Sequence, residues 1–269
     1  MKKVTDMKVE IIYEDDDVLA VNKPAFLSVH KDGKADDEYT LADWVIEKYP
    51  ELKDVGEPLV IKNGKQEKVV YRPGIVHRID KETSGIVLVA KNQKSFEDLK
   101  SQFQTHEIEK VYNAFVYGWP KENRDLITTS IARSKSDIRK WSSGRGKRGR
   151  EREAVTYYEV DKKIDLREKK KDVVDGGSTE EGTFSYLTLR PKTGRTHQLR
   201  VHLLHINHPI VSDTLYASKR KKSLGFERLA LHARSITFSK MDKSLITVEA
   251  PYPADFTEAI KNYIGEKKA

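Results

Sequence analysis

The feature that most constrains the fold is a five-residue run without a polar side chain, Ile86-Val87-Leu88-Val89-Ala90, entered through Gly85. It is far short of the ~20 residues a membrane span needs. Its length and its β-branched residues make it a strand buried on both faces, which requires a sheet around it. A similar run, Val18-Leu19-Ala20-Val21, ends at Lys23-Pro24. Other segments take their places around these two. Glu10 to Ala20 reads as two short strands about the acidic turn Glu14-Asp15-Asp16-Asp17. Leu41 to Tyr49 has helical spacing, with Thr40 as N-cap and Pro50 as stop. Gln93 to Gln104 is a helix with Phe96, Leu99 and Phe103 on one stripe. Val111 to Tyr117 alternates as a strand, and Tyr157 to Val160, Phe184 to Leu189, Ser235 to Phe238 and Leu245 to Glu249 suggest more. Thr193-Gly194 opens a helix carrying Leu199, Leu203 and Ile206, and Asp255 to Tyr263 forms a terminal helix. Strands outnumber helices without regular βαβ alternation, which predicts an α+β fold with a large, mixed, mostly antiparallel sheet.

Composition excludes several classes. The chain has no Cys, so thiolate nucleophiles, disulfides and cysteine-ligated metals are impossible. Met1 to Asp6 leads into no apolar run and does not read as a signal peptide, which predicts a soluble cytoplasmic protein. The net charge of +8 is unevenly spread. Between Arg133 and Arg152 nine Lys/Arg face two acids, Asp137 and Glu151, so this segment alone carries 9 − 2 = +7. Such a basic loop attracts polyphosphate by counterion release, or is simply a solvated loop. Asp161 to Thr183, charged and then Gly-rich, reads as a hairpin tip or excursion.

Some motifs fail on context. Gly144-Arg145-Gly146-Lys147-Arg148-Gly149 satisfies G-x-G-x-x-G, but no strand precedes it and no apolar helix follows, so no nucleotide cofactor is expected there. His202, His205 and His208, with His197 nearby, are spaced for zinc but lack the H-E-x-x-H glutamate. No metal is expected.

Two polar segments carry chemistry. His77-Arg78-Ile79-Asp80-Lys81-Glu82-Thr83-Ser84-Gly85 runs into the buried strand, where a rigid scaffold can hold side chains over the sheet. Read alone, it is equally an Asx turn closed by Asp80 near Thr83. In Thr193-Gly194-Arg195-Thr196-His197-Gln198-Leu199-Arg200-Val201-His202, Arg195 at a helix start opposes the macrodipole and either needs an anionic partner, such as a buried Asp, or is an exposed arginine with no role.

Together these segments closely resemble the signatures of the RluA family of RNA pseudouridine synthases. Tyr13-Glu14-Asp15, Asn22-Lys23-Pro24, Lys110-x-Tyr112-x-Ala114, Asp213-x-x-Tyr216 and Leu231-His232-Ala233 follow in the family's order, over about Glu10 to Phe256. The resemblance implies a single α+β domain with a central cleft, acting without a cofactor on structured ribosomal or transfer RNA. It implies that Asp80 is the catalytic aspartate and that Arg78 replaces the flipped nucleotide in the RNA stack. It further implies that Tyr112 packs on the uracil, Arg195 pairs with the aspartate, and Leu231 lines the apolar pocket. The family's Lys-Pro-x-Gly becomes Lys23-Pro24-Ala25-Phe26, its Gly-Asp becomes Ser212-Asp213, and its late His-Pro becomes Ser239-Lys240. The match starts too early to expect the N-terminal S4 module many relatives carry. Two other readings stand beside this one: a non-catalytic RNA-binding or folding factor on the same scaffold, and a metal-dependent hydrolase using the histidines.

Overall fold

The computed structural model describes residues 8–31, 38–63, 66–144, 146–167 and 182–265. In chain order its elements begin β1 (Glu10–Glu14), β2 (Val18–Lys23), α1 (Leu41–Lys48), β3 (Leu59–Asn63), β4 (Gln66–Val70), β5 (Ser84–Ala90), α2 (Gln93–Gln104) and β6 (Glu109–Tyr117). They continue β7 (Arg124–Ile127), β8 (Ile131–Ser134), β9 (Trp141–Ser142), β10 (Lys147–Arg152), β11 (Thr156–Asp165) and β12 (Thr183–Pro191). The last are α3 (Gln198–His205), β13 (Leu231–Ser239), β14 (Leu245–Glu249) and α4 (Ala254–Tyr263). The chain divides into two compact units, Met1–Glu109 with Ala233–Pro251, and Lys110–His232 with Tyr252–Ala269.

In the first unit the strands follow the order β1-β2-β5-β13, with β14 on β13. β5 is buried along its whole length and runs antiparallel to β2, from Val18↔Ala90 to Lys23↔Gly85. Val18, Ala20, Ile86, Leu88 and Ala90 close over Phe96 and Leu99 of α2, so the helix stripe and the strand face form one core. Both helices start as their sequences dictate. Thr40 and Asp43 form a reciprocal capping box, and Asn92 with Ser95 forms another. The acidic run is a turn closed by Asp15, whose Oδ1 accepts from the backbone of Asp17 and Val18.

In the second unit the order is β6-β12-β11-β7. β6 pairs with β12 from Tyr112↔Leu189 to Tyr117↔Phe184. Its core is aromatic: Phe115, Phe226 and Phe256 lie with ring centroids 5.0–5.7 Å apart. Arg228 anchors α4 with a two-pronged contact to Asp255 at 2.7 and 3.0 Å.

Three expectations change. The excursion from Asp161 is shorter than its charge suggests, because β11 and β12 stay paired out to Asp165↔Thr183. Exposed Lys162 and Lys163 hide that pairing from a hydrophobic pattern. Residues 168–181 of the excursion lie outside the described residues. The basic segment 133–152 is no mere loop: β8, β9 and β10 form a small antiparallel sheet in the order β10-β8-β9. Finally, α3 begins at Gln198 rather than near Thr193.

Candidate active site

The Asp80 loop is held from three directions. The first clamp is Lys23, fully buried, whose Nζ donates to the carbonyls of Pro24 and Leu27 at 2.8 Å each and of Lys81 at 3.2 Å. The Lys81 carbonyl also accepts from Phe26 N at 2.7 Å. The second is His77, whose Nε2 accepts from Leu88 N in β5 at 2.9 Å while its ring stacks on Phe103 of α2. That bond places the imidazole proton on Nδ1. The third is Gly85, where φ is 113° and an added Cβ would lie 2.2 Å from the Ala233 carbonyl oxygen. Only glycine permits this approach of two backbones. Between these clamps the turn closes through the backbone, Thr83 N donating to the Asp80 carbonyl at 3.1 Å. Asp80 is half-buried and Arg78 is exposed two residues before it.

The other candidates belong to the second unit. Tyr112 in β6 is half-buried and packs, like Leu231, against the aromatic core cluster. Leu231 itself is buried, and its carbonyl accepts from Arg228. Two residues before Tyr112, burial pushes the Lys110 ammonium down to about 8. Arg195 is half-buried in the turn before α3, where its Nε donates to the Glu153 carbonyl at 3.0 Å. The macrodipole conflict expected there is resolved by the later helix start. Gln198 Oε1 accepts from both Arg195 N and Thr193 Oγ1, and Gln198 Nε2 donates to Val155 O. The side chain that opens the helix thus fixes the turn before it. Asp80 and Arg78 thus share one loop of the first unit, Tyr112 and Leu231 border the core of the second, and Arg195 bonds Glu153, just after the basic sheet's last strand.

A buried network ties that sheet to α3. Asp213 is 1% exposed and receives Arg200 Nε and Nη2 at 2.8 and 2.7 Å, while its Oδ1 also accepts from Leu215 N and Tyr216 N. The Arg200 guanidinium lies over the Tyr216 ring. Tyr216 Oη accepts from Trp141 N in β9 and lies 2.9 Å from His197 Nδ1. These roles for Lys23, Gln198 and Tyr216 were missed in the sequence, although Lys23 and Tyr216 stand within segments that mark the resemblance. The departures from the family pattern fall at left-handed backbone. Phe26 has φ 69° and Ser212 φ 59°, where the family carries glycine. Ser212 is eased by Oγ donating to Phe226 O at 2.7 Å, whereas Phe26 is a bulky residue 44% exposed.

The histidines have structural partners. His202 is buried with Nδ1 3.0 Å from Thr156 Oγ1 and Nε2 3.1 Å from Thr129 O, and burial lowers it to about 4. His208 Nδ1 faces Tyr117 O. No group of three metal-binding side chains occurs among the described residues, and no helix there is long and apolar enough to cross a membrane.

On the basic sheet, Asp137 and Glu151 are neutralised in place by Arg139 and Lys147. Lys135, Arg148, Arg150 and Arg152 are exposed, and Arg148 pairs across the strands with Arg133, whose guanidinium lies 4.6 Å from the Trp141 ring centroid. Like charges directly opposite each other weaken an antiparallel pair.

A family model described as RNA pseudouridylate synthase matches residues 17–205. An RNA pseudouridine synthase of Synechocystis sp., named as uncharacterized, is 31% identical over 256 residues, 95% of this chain and 69% of that protein. Ribosomal large subunit pseudouridine synthase D of Zymomonas mobilis is 35% identical over 243 residues, 87% of this chain and 65% of its own. Among solved structures, human RNA pseudouridylate synthase domain containing 1 aligns with a TM-score of 0.67 at 23% identity, over 94% of this chain and 87% of that one. The structural likeness establishes the α+β fold. Matched through both the Asp80 loop and the Thr193 to His202 segment, the chain belongs to the RNA pseudouridylate synthase family, enzymes that isomerise uridine to pseudouridine.

Proposed function

We propose that this protein makes pseudouridine in structured ribosomal or transfer RNA, with Asp80 as its catalytic carboxylate. The observation that carries the reading is the immobilised loop: Lys23, His77 and Gly85 hold Asp80 on the buried strand β5. A reacting group held this way loses little freedom on reaching the transition state.

The reaction breaks the N1–C1′ bond, turns the uracil, and joins C5 to C1′. C5 gives up its proton and N1 ends protonated, so the product is an isomer and the balance needs no oxidant or energy donor. Asp80 serves either as nucleophile at C1′ or as base toward a sugar proton, and in both routes it can take the C5 proton. An ionised carboxylate in a half-buried site needs a cation near it. In this reading Arg195 supplies it, its side chain bonding a described residue, Glu153, through Nε alone. Extruding the uridine costs a few kcal/mol, offset when Arg78 fills the gap and Tyr112 packs on the base, with Leu231 as apolar wall. The β8–β10 sheet clamps the RNA backbone with its unpaired arginines.

Mapping pseudouridine across ribosomal and transfer RNA from cells with and without this protein tests the reading. Loss of one or a few sites, restored by the wild type but not by Asp80→Asn, is expected. Identical maps would refute it.

A further inference from the structure

The turn between β8 and β9 is tied down by its own backbone. Ser134 N donates to Lys140 O at 3.0 Å, Lys140 N to Asp137 O at 3.0 Å, and Lys135 N to Gly146 O at 2.8 Å. Ser134 Oγ accepts from Ser136 N at 3.2 Å. Trp141, which follows the turn, packs against the cluster of Ile131, Ala154, Val201 and Tyr216, and its N donates to Tyr216 Oη at 2.9 Å. Arg133 lies 4.6 Å from the Trp141 ring centroid and is itself anchored to the Ile138 carbonyl at 3.1 Å. This frame is set before any ligand arrives.

Between the frame and α3 lies a cavity of about 210 Å³, lined chiefly by Ser134, Lys135, Lys140, Trp141, Leu204 and Tyr216, all of the second unit. At ~30 Å³ for each water, that is space for about seven, far more than one ion needs. The lining is of two kinds. Leu204 is left 39% exposed on α3, and Trp141 is half-buried. Lys135 and Lys140 bring two ammoniums, and neither forms an ion pair among the described residues. The carboxylate of the turn, Asp137, is taken by Arg139 through both oxygens, at 3.1 and 2.9 Å.

An inorganic anion here would leave Leu204 and Trp141 wet, and an apolar molecule would leave both ammoniums without an anion. A nucleotide meets both needs, its base on the apolar groups and its phosphate on the lysines. Aromatic groups beside cations are how single-stranded nucleic acid is held without a fixed sequence. Bases within a duplex are stacked and paired, so only a nucleotide of a loop or bulge can enter.

We propose that this cavity receives one unpaired nucleotide of the substrate RNA, other than the uridine that is isomerised. The inference rests on the reading above that structured RNA is the substrate. No residue of the Asp80 loop lines the cavity, so the nucleotide seated here is not the reacting one. Leu204, Lys135 and Lys140 are specificity-determining residues, selecting RNAs that offer a loop or bulge to this cavity.

The test uses the full chain and a transfer RNA that the wild type binds. Each unpaired nucleotide except the target is replaced in turn by an abasic one. Binding is then measured for the wild type and for Leu204→Glu, which sets a carboxylate in the cavity. With the wild type, one abasic position is expected to weaken binding about tenfold, the worth of one stacked base. Leu204→Glu should bind the unaltered RNA more weakly by a similar factor and lose nothing further at that position. No sensitive position, or the same loss at it in both proteins, overturns the proposal. Should Leu204→Glu fail to fold, Lys140→Gln decides: the slope of log affinity against log salt should become shallower by about 0.7, the release of one single-strand phosphate. An unchanged slope overturns the proposal. Equilibrium dialysis with uridine 5′-monophosphate separates a free nucleotide from one within RNA. Micromolar binding that Leu204→Glu abolishes, with RNA binding unchanged in that variant, would overturn the assignment to RNA. A wild type that leaves RNA unmodified would instead sink the catalytic reading, whereas the abasic series reads binding alone, so the two failures are distinct.

Discussion

Gly85→Ala tests how the Asp80 loop is held. At φ 113° an L side chain is strained, and the new Cβ would lie 2.2 Å from Ala233 O and 2.8 Å from Ala233 C and N. An ordinary carbon–oxygen contact is about 3.3 Å, so the backbones would have to part by about 1 Å. Neither can yield freely, because β5 is paired with β2 up to Gly85↔Lys23 and Ala233 lies within β13. Backbone strain of about 1–3 kcal/mol and overpacking of about 1–3 kcal/mol combine to about 2–6 kcal/mol. Against a domain's usual stability of about 5–15 kcal/mol, the variant folds but is weakened. Asp80 lies upstream on the same loop, and a displacement of about 1 Å costs about 100-fold in rate. Urea unfolding measures the first effect. Single-turnover pseudouridine formation, corrected for the folded fraction and run well below the transition, measures the second. Gly144→Ala is the control: no atom lies within 4 Å of its added Cβ, so stability and rate should hold. A Gly85→Ala protein with wild-type stability and wild-type rate would refute the clamp.

Phe26→Gly should raise the urea midpoint, by about 0.5–1 kcal/mol in stability, since left-handed backbone costs an L-residue about 1–2 kcal/mol and glycine nothing. His202 titrates near 4 in the folded chain against 6.5 as the ordinary value. The unfolded chain therefore takes up that proton first as pH falls, and stability drains at about 1.4 kcal/mol per pH unit between about 6.5 and 4. Urea unfolding at several pH values checks this, and His202→Gln should flatten that part of the profile. Replacing Arg148 and Arg150 together by Gln should make the salt slope of RNA binding shallower by about 1.4, read by filter binding between about 50 and 200 mM salt. An unchanged slope would remove the β8–β10 sheet from the RNA contact.

Local signals made much of this legible. The apolar runs at Val18 and Ile86 became β2 and β5, and the helically spaced segments Leu41 to Tyr49 and Gln93 to Gln104 became α1 and α2. The basic sheet stayed hidden because its strands carry arginines where alternation would be sought. Its order comes instead from Ile131 and Ala132 beneath, and from Trp141 bonded through its backbone to Tyr216, 75 residues away. β3 and β4, paired from Leu59↔Val70 to Asn63↔Gln66, do not stand out in the sequence because Lys62, Glu67 and Lys68 break the apolar pattern. The start of α3 was misplaced because His197 takes a left-handed conformation, φ 57°, which no residue type at that position announces. The candidate residues were legible only as motifs. What holds Asp80 in place depends on Lys23, Phe103 and Ala233, which are distant in sequence from the loop and meet it only in the folded chain.

The central claim is most directly tested by following tritium from RNA labelled at uracil C5, mixed with the wild type or with Asp80→Asn. The wild type should release the label into water as the new C5–C1′ bond forms, while the Asn variant binds the RNA equally well and releases none. Tritium release by Asp80→Asn at the wild-type rate would contradict the assignment of the carboxylate.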